Sequence, residues 1–389
     1  MINMEMINMT RKVGKKNVVK ADFSMYDYML LGSGGIGKTT IVNEIGTKLY
    51  GDEGVLLLEI GRENGVSHLD AFYEQVDTFD DLEEIIDVLI KERTTTFKDT
   101  KIIAIDSVDE LVRLAEAKTI EIYNDSVDVN KQVSSISACF GGFNKGVTFA
   151  VDLLVSTVFK LKDVGYSLFF ISHIKEKTLV DPVTQIEYPQ VTCNVNKNYF
   201  NAIKDKVHVV AVGYVEREYD NLMTEDRKVK GFDGKTRNEK IGVSNGILNE
   251  KRVIVFRDDN YVLDAKSRFA NIEPKIDFDS DEFIRAVNEA IKSQISKQNR
   301  REVTDAEMKQ VADKQQEEQM KKVETVLQEK VAEEQKQNDE QEKERILQQL
   351  VGGYKTMSKE KKLHIKQVLT DNGATKLQEL PIEVLKTLL

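Results

Sequence analysis

The sequence predicts an α/β fold with a mainly parallel central sheet, followed by a charged helical linker and a small C-terminal helical module. Three observations support this prediction. Between residues 26 and 269, short apolar runs alternate with helical patterns, as expected of parallel strands joined by helices. Residues 300–344 contain neither glycine nor proline and are rich in Glu, Gln and Lys. From residue 358 to residue 389, apolar residues return at helical spacing.

The elements follow this division in chain order. Residues 1–23 form a basic N-terminal extension, 24–277 the α/β core, and 278–298 a helical extension of that core. Residues 299–350 form a charged helical or disordered linker, and 351–389 the small helical module. The predicted strands are 26–31, 54–60, 101–106, 167–172, 207–215 and 252–257. Residues 79–93 carry apolar residues at helical spacing and fit a crossover helix, and the polar segment 220–249 fits a hairpin or loop.

Composition excludes several classes of protein. The 389 residues include 56 Lys and Arg against 66 Asp and Glu, a formal net charge of −10. This charge argues against coating duplex DNA by bulk attraction, although it leaves room for a local basic groove. Two cysteines, Cys139 and Cys193, are too few for a disulfide framework or a CxxC metal site. No apolar run approaches the roughly 18 residues that span a bilayer, so we expect a cytoplasmic protein without a membrane partner.

The strongest motif is GxxxxGK[ST], which directly follows the apolar run 28–31 and precedes a helical pattern. Backbone N–H groups of such a loop wrap a β-phosphate, and the following helix contributes its positive amino end. Lys38 would reach the β- and γ-phosphate oxygens, and the Thr39 hydroxyl would ligate Mg²⁺. The predicted nucleotide-binding residues are Gly32, Ser33, Gly34, Gly35, Ile36, Gly37, Lys38, Thr39 and Thr40. ATP is favoured over GTP because no Asn-Lys-x-Asp motif follows in a suitable place.

Three further strands end in polar residues that suit this site. Asp106 ends the apolar run 102–105 and would hold the metal together with Thr39. Glu59 and Glu63 lie on and beyond a strand expected next to the phosphate loop, and either could orient the attacking water. Glu63 is favoured because it lies further past the strand end. His173 follows the apolar run 168–171 and would sense the γ-phosphate; the alternative for each of these residues is an ordinary surface position.

This order of motifs resembles the RecA-like ATPase core, especially the phage-encoded RecA-type ATPases of recombination and single-strand annealing. The resemblance rests on the phosphate loop and on the segments 105–108, 169–175 and 201–204, and it covers roughly residues 26–269. It departs from RecA at Ser172 and His173, where RecA has Asn-Gln.

The resemblance implies roles for residues outside the phosphate loop. Phe143 and Lys145 fall where the family places its first DNA-facing loop, and Lys175, Lys177 and Lys197 fall in a second loop expected between residues 174 and 200. Plain surface loops are the alternative. The segment 265–269 resembles the family's Ala-Lys-Ser-Arg-Phe signature, which implies that Lys266 and Arg268 reach the nucleotide of a neighbouring subunit.

The function predicted from these residues is a Mg²⁺-dependent ATPase that binds single-stranded DNA as a homo-oligomer and promotes annealing or strand exchange. A replicative helicase or helicase loader is one alternative, and a nucleotide-dependent assembly protein without a DNA role is another. The C-terminal module would dock a protein partner, such as a single-strand binding protein, at the end of a tether; the tail could instead be autoinhibitory. Oligomer size, and ring against filament, stay open.

Overall fold

A computed structural model describes residues 17–61, 65–180, 187–220, 223–230, 236–243, 246–258, 263–354 and 357–389. The chain forms two compact units, Met1–Met320 and Lys321–Leu389. The division at residue 320 differs from the expected boundaries at 277, 298 and 350, because the segment after residue 277 packs on the α/β core.

The strands and helices occupy most of the described chain. The strands are β1 (Tyr28–Gly32), β2 (Val55–Ile60), β3 (Tyr73–Val76), β4 (Ile102–Asp106), β5 (Ser167–Val180), β6 (Glu187–Cys193), β7 (Val209–Asp220), β8 (Met223–Lys230), β9 (Thr236–Val243), β10 (Gly246–Val255), β11 (Lys266–Ser267) and β12 (Lys275–Asp277). The helices are α1 (Lys38–Tyr50), α2 (Phe79–Lys91), α3 (Val108–Asp125), α4 (Lys145–Val158), α5 (Lys160–Asp163), α6 (Lys197–Lys204), α7 (Ser280–Asn299), α8 (Asp305–Gly353), α9 (Lys359–Asp371) and α10 (Ile382–Lys386).

Strand β1 lies inside the main sheet, between β5 and β7. The strand order is β12-β10-β7-β1-β5-β4-β2-β3, with β6 beside β5 and β11 beside β7. Strands β1 to β5 and β7 pair in parallel along this order, whereas β10 pairs antiparallel with β7 and β12. The carboxyl ends of β1, β4 and β5 therefore meet at one edge of the sheet, here called the carboxyl edge. In open sheets of this kind, ligands bind beyond that edge.

Two expectations about the sheet are wrong. Strand β2 is not adjacent to β1, because β5 and β4 lie between them. Residues 174–200 are also not a simple loop, because β5 continues to Val180 and pairs with β6 from Ile174↔Cys193 to Val180↔Glu187. We call residues 174–180 and 187–193 the β5–β6 arm. Most of its residues on β5 are exposed, so the arm lacks the continuous apolar run by which the buried strands are recognised.

The core of the first unit is formed by the buried strands and by the apolar face of α7. Phe283 of α7 lies 5.0 Å from Phe256, 6.0 Å from Phe169 and 6.2 Å from Tyr28, measured between ring centroids. Asp279 caps α7 by accepting hydrogen bonds from the N–H groups of residues 281 and 282. The predicted helical extension is therefore an integral part of the α/β core.

The segment 220–249, predicted as a hairpin or loop, is extended wherever the structure describes it. Strand β7 runs to Asp220 and pairs antiparallel with β10, and β8 pairs antiparallel with β9.

The second unit has its own small core. Its buried apolar residues are Ile346, Leu350, Ile365, Leu380, Leu385 and Leu388. Helix α9 begins after Ser358, whose hydroxyl accepts a hydrogen bond from the Lys361 N–H at 3.2 Å. The expected charged linker is helical, since α8 covers residues 305–353.

Candidate functional site

The phosphate-loop motif joins the end of β1 to the start of α1. Gly35 and Gly37 have φ values of +74° and +105°, which side chains with a Cβ rarely adopt. Gly37 occupies the N-cap position of α1, so the first N–H groups of the helix face the loop and have no partner within the helix. This arrangement presents backbone donors and the positive end of a helix to one point, as an anion requires.

Lys38 is held across the mouth of this loop. Its side chain is 7% exposed, and Nζ donates hydrogen bonds to the carbonyl oxygens of Gly32 at 3.1 Å and Ser33 at 3.0 Å. Nζ also lies 3.4 Å from Nδ1 of His173. The charge of Lys38 is therefore positioned at the loop that would enclose a phosphate.

Thr39 and Asp106 meet at the carboxyl edge. The Thr39 hydroxyl donates a hydrogen bond to Asp106 Oδ2 at 2.5 Å, and Asp106 is 6% exposed at the end of β4. The peptide bond between Asp106 and Ser107 is cis. A Cβ on Gly65 would lie 3.6 Å from both Asp106 Oδ2 and Thr39 Oγ1, so the loop containing Gly65 passes close to both oxygens.

These two oxygens suit Mg²⁺ better than a metal ion that protein side chains surround completely. Carboxylate and hydroxyl oxygens are hard ligands, and Mg²⁺ is commonly held by one or two protein groups together with waters and phosphate oxygens. Within the described ranges, no three His, Cys, Asp or Glu side chains form a metal-binding cluster. Thr39 and Asp106 could thus hold a magnesium ion whose remaining ligands come from nucleotide and water.

Glu59 lies on the strand next to Asp106. It is the register partner of Asp106 across β2 and β4, it is 6% exposed, and its Oε1 accepts a hydrogen bond from the Val66 N–H at 3.3 Å. Oε1 would also lie 3.9 Å from a Cβ on Gly65. Glu59 therefore belongs to the same part of the carboxyl edge as Asp106. Glu63, the favoured water-orienting residue of the sequence analysis, lies outside the described residues.

His173 connects the site to the β5–β6 arm. It pairs in register with Gly32, and its backbone N–H donates a hydrogen bond to Asp109 Oδ2 at 3.0 Å. The hydroxyl of Ser172 donates to the same oxygen at 2.7 Å, and Asn194 Nδ2 donates to Asp109 Oδ1 at 3.0 Å. Asp109, which the sequence analysis did not single out, thus joins the two residues before the arm on β5 to the residue that follows β6.

A buried thiol, that of Cys193, lies behind this network. Cys193 lies 3.1 Å from the Ser172 hydroxyl, and burial raises the pKa of its thiol to about 11. A thiol with this pKa stays protonated near neutral pH.

A cavity of about 450 Å³ lies beside the phosphate loop, Asp106 and His173. It is lined by Gly35, Gly37, Lys38, Thr39, Thr40, Gly65, His68, Asp106, His173 and Arg252. His68 and Arg252 were not predicted from the sequence. Arg252 stands at the start of the predicted strand 252–257, and a parallel strand would have placed it far from the loop. Because β10 runs antiparallel to β7, its earlier residues lie toward the carboxyl edge instead.

Lys266 and Arg268 lie away from this cavity. Lys266 pairs with Val210, near the amino end of β7, and its Nζ donates a hydrogen bond to the Lys204 carbonyl at 2.5 Å. Arg268 donates to the Asp205 carbonyl at 2.5 Å. Burial, reinforced by the charge of Arg268, lowers the pKa of Lys266. Neither residue is placed to contact a nucleotide bound in the cavity of its own chain.

The five candidate DNA-binding residues lie on three separate elements. Phe143 is 97% exposed in the turn before α4, and Lys145 is the first residue of that helix. Lys175 and Lys177 lie on the β5–β6 arm, where Lys175 Nζ donates to the Asn194 carbonyl at 2.6 Å. The fifth residue, Lys197, begins α6.

The turn that carries Phe143 is anchored by a neighbouring aromatic side chain. Phe140 packs 5.2 Å from Tyr123 and 5.0 Å from Phe149, measured between ring centroids. Phe140, Phe143 and Asn144 all have positive φ values, so the turn projects Phe143 while it holds Phe140 against α3 and α4.

Comparison with known proteins identifies the family of the α/β core. The model of an AAA domain family, AAA_24, matches residues 24–269. The chain belongs to this family. Together with the phosphate loop and the mainly parallel sheet, membership confirms the predicted RecA-like P-loop fold and places the chain among the P-loop ATPases at the level of the family.

Other comparisons are less informative. No curated protein matches the chain. Similar solved structures include a KaiC-like protein, PH0186, from the hyperthermophilic archaeon Pyrococcus horikoshii OT3. It shares 12% identity at a TM-score of 0.28, over 59% of this chain and 84% of that chain. In the residues that the structure describes, no helix is both long and apolar enough to cross a bilayer.

Proposed function

We propose that this protein is a Mg²⁺-dependent ATPase that binds single-stranded DNA and promotes annealing or strand exchange in phage-type recombination. The observation that carries this proposal is the continuity between the phosphate cavity and the β5–β6 arm. His173 lies 3.4 Å from Lys38 Nζ, and the same strand continues directly to Lys175 and Lys177. A change at the γ-phosphate therefore has a short structural route to an exposed arm whose two lysines stand on either side of Glu176.

Residues that line the cavity, together with Glu59 beside it, would share the work of hydrolysis. Loop N–H groups and Lys38 bind the β- and γ-phosphates, while Thr39 and Asp106 hold the metal. The bound magnesium ion supplies charge stabilisation of the phosphates. Glu59 is buried beside Asp106 and orients the attacking water by accepting its hydrogen bond. This assignment is part of the proposal, and Glu63 is the alternative for the same role.

DNA binding would change with the state of the nucleotide. A ligand shifts a conformational equilibrium only if it binds one state better than the other. His173 would supply this difference, because it lies next to Lys38 and its backbone is tied through Asp109 to the base of the arm. ATP would thus favour an arm position that grips DNA, and hydrolysis would release it.

The proposed assembly is a homo-oligomer. Lys266 and Arg268 lie near the amino end of β7, away from the cavity of their own chain. Their role at a nucleotide therefore requires a neighbouring subunit, in which they would stabilise charge on the transferred phosphate. The second unit would dock a protein partner such as a single-strand binding protein, and the protein would work in the cytoplasm, that of the host if it is phage-encoded.

An assembly protein without a DNA role is the second candidate. The formal net charge of −10 favours it, because acidic proteins repel nucleic acid at long range. It would use the same cavity for ATP and would differ only in what the arm contacts. A helicase or helicase loader would be recognised by directional unwinding of a forked duplex.

The deciding experiment compares ATP hydrolysis with and without single-stranded DNA, alongside the mass of the protein in each condition. We expect DNA to stimulate hydrolysis and to bind with an affinity that falls as salt rises. The double variant Lys145→Ala, Lys177→Ala should weaken DNA binding and make the salt dependence shallower, while hydrolysis without DNA stays near normal. Lys91→Ala, an exposed lysine at the end of α2, is the matched control.

One result would contradict the DNA role: hydrolysis that DNA leaves unchanged together with no salt-dependent DNA binding, which would support the assembly protein. An equal loss of DNA binding in the Lys91→Ala control would instead contradict the assignment of DNA binding to Lys145 and Lys177, because it would show that only net charge matters.

A further inference from the structure

We propose that Arg252 contacts the phosphates of the nucleotide bound in its own chain. Neither the phosphate-loop motif nor the family match assigns this role, and the inference rests on the proposed nucleotide site. The reasons are its contact with the loop, the lack of a carboxylate partner among the described residues and its place in the sheet.

The guanidinium group of Arg252 lies on the phosphate loop itself. Its Nη1 donates a hydrogen bond to the Ile36 carbonyl at 3.1 Å and would lie 3.7 Å from a Cβ on Gly37. The side chain is exposed and lines the same cavity as Lys38 and Thr39. A guanidinium group carries five N–H donors, and the contact with Ile36 uses one of them. The remaining donors are available to an anion in the cavity.

Charged residues near Arg252 form ion pairs with carboxylates, whereas Arg252 forms none with the described residues. Lys251, the preceding residue, pairs with Asp277 at 2.5 Å, and Arg217 on β7 pairs with Glu250 at 2.6 Å. In the part of the chain that the structure describes, no carboxylate pairs with Arg252. A cation that is aimed at a phosphate loop and lacks an acidic partner suits a phosphate ligand, because charge-assisted contacts from arginine to phosphate are strong and directional.

The sheet places Arg252 and Asp106 on opposite flanks of the loop. Strand β10 lies two positions from β1 on one side, with β7 between them, and β4 lies two positions from β1 on the other side. The backbone of Arg252 is fixed by its pairing with Val215 and by the hydrogen bond that its carbonyl accepts from the Phe278 N–H at 3.0 Å. The phosphates would thus be approached by a cation from one flank and by the metal-binding carboxylate from the other.

This geometry favours the phosphates that the loop encloses, which ADP and ATP share. Titration of the full-length protein with ADP and with a non-hydrolysable ATP analogue, each with Mg²⁺, tests it. Arg252→Ala should lower the affinity for both by about tenfold to a hundredfold, the range expected for a hydrogen bond to a charged group. Arg252→Lys should retain part of the affinity because it keeps the charge. Lys251→Ala, on the same strand, should bind both nucleotides like the wild type.

A bracing role through Ile36 makes a different prediction. If Arg252 only supported the loop, Arg252→Ala would lower the thermal unfolding midpoint without nucleotide, and Arg252→Lys would give no rescue. That pattern would overturn the inference, as would unchanged ADP and ATP binding in Arg252→Ala. A wild-type protein that binds neither nucleotide would overturn the proposed function and this inference together, whereas normal wild-type binding with a normal Arg252→Ala variant would overturn this inference alone.

Discussion

Glu59 and Asp106 are buried to the same extent but have different hydrogen-bond partners. Asp106 accepts a hydrogen bond from the Thr39 hydroxyl, its partner in the proposed metal site, whereas Glu59 accepts only from the Val66 N–H among the described contacts. Glu59 retains acceptor capacity because an ionised carboxylate offers about four lone-pair sites. A water beside the γ-phosphate could use that capacity.

The residue-scale prediction concerns Glu59. Glu59→Gln should reduce the turnover of ATP by about a hundredfold to ten-thousandfold, because the amide is a poor acceptor for the proton of the attacking water. Nucleotide affinity should stay within about twofold of the wild type, since Lys38 and the loop supply the binding contacts. Single-turnover hydrolysis and nucleotide titration separate the two effects, with Glu53→Gln, an exposed residue before β2, as the control.

The opposite result would assign the water-orienting role to Glu63. If Glu59→Gln turns over ATP at the wild-type rate while Glu63→Gln does not, the attacking water is oriented from the segment beyond β2. If Glu53→Gln reduced ATP turnover as much as Glu59→Gln, the loss would reflect the removal of a negative charge and not a specific role of Glu59.

Residues with a motif were predictable from the sequence, and residues without one were not. The positions of Lys38, Thr39 and Asp106 follow from a short loop between a strand and a helix and from a strand that ends in Asp. Arg252 and Asp109 carry no comparable pattern. Their positions depend on the direction of β10 and on which strand α3 packs against, and both are decided by contacts distant in the sequence.

At the scale of elements, the same contrast separates buried strands from exposed ones. The buried strands β1, β2 and β4 were predicted to within a few residues, because each is a continuous apolar run. The β5–β6 arm was predicted as a loop, because most of its residues on β5 are exposed and it therefore lacks a continuous apolar run. Helix α7 was located, but its role in the core was not, because an amphipathic pattern does not reveal which surface it covers.

The element-scale prediction tests whether α7 belongs to the core. A chain ending at residue 320 should unfold cooperatively, whereas one ending at residue 277 should not. The shorter chain lacks Phe283, Val287 and Ile291, which are buried against the sheet. In the full-length protein, Phe283→Ala should lower the free energy of unfolding by about 3–5 kcal/mol. Thermal and denaturant unfolding followed by near-UV circular dichroism measure both effects.

Val88→Ala, an exposed residue on α2, is the control for Phe283→Ala and should change the free energy of unfolding by less than about 0.5 kcal/mol. If the 277-residue chain unfolded as cooperatively as the 320-residue chain, α7 would be a separate extension and not part of the core.

At the scale of the whole molecule, the predicted α/β class follows from the alternation of apolar runs and helical patterns through some 240 residues. An error in a single element does not change this class. The division into units was less predictable. The sequence marks changes of composition at 277, 298 and 350, but the compact units divide at residue 320, because α7 and the first part of α8 contribute apolar residues to the core of the first unit.

The central claim is that residues 32–39 and Asp106 form one nucleotide site. Its most direct test is a calorimetric titration of the full-length protein with a non-hydrolysable ATP analogue, with Mg²⁺ and with a chelator. We expect one nucleotide to bind per chain, and we expect the affinity to fall when Mg²⁺ is removed. In Asp106→Asn, the affinity should no longer depend on Mg²⁺. Absence of binding in both conditions, or a magnesium dependence that Asp106→Asn leaves intact, would contradict the central claim.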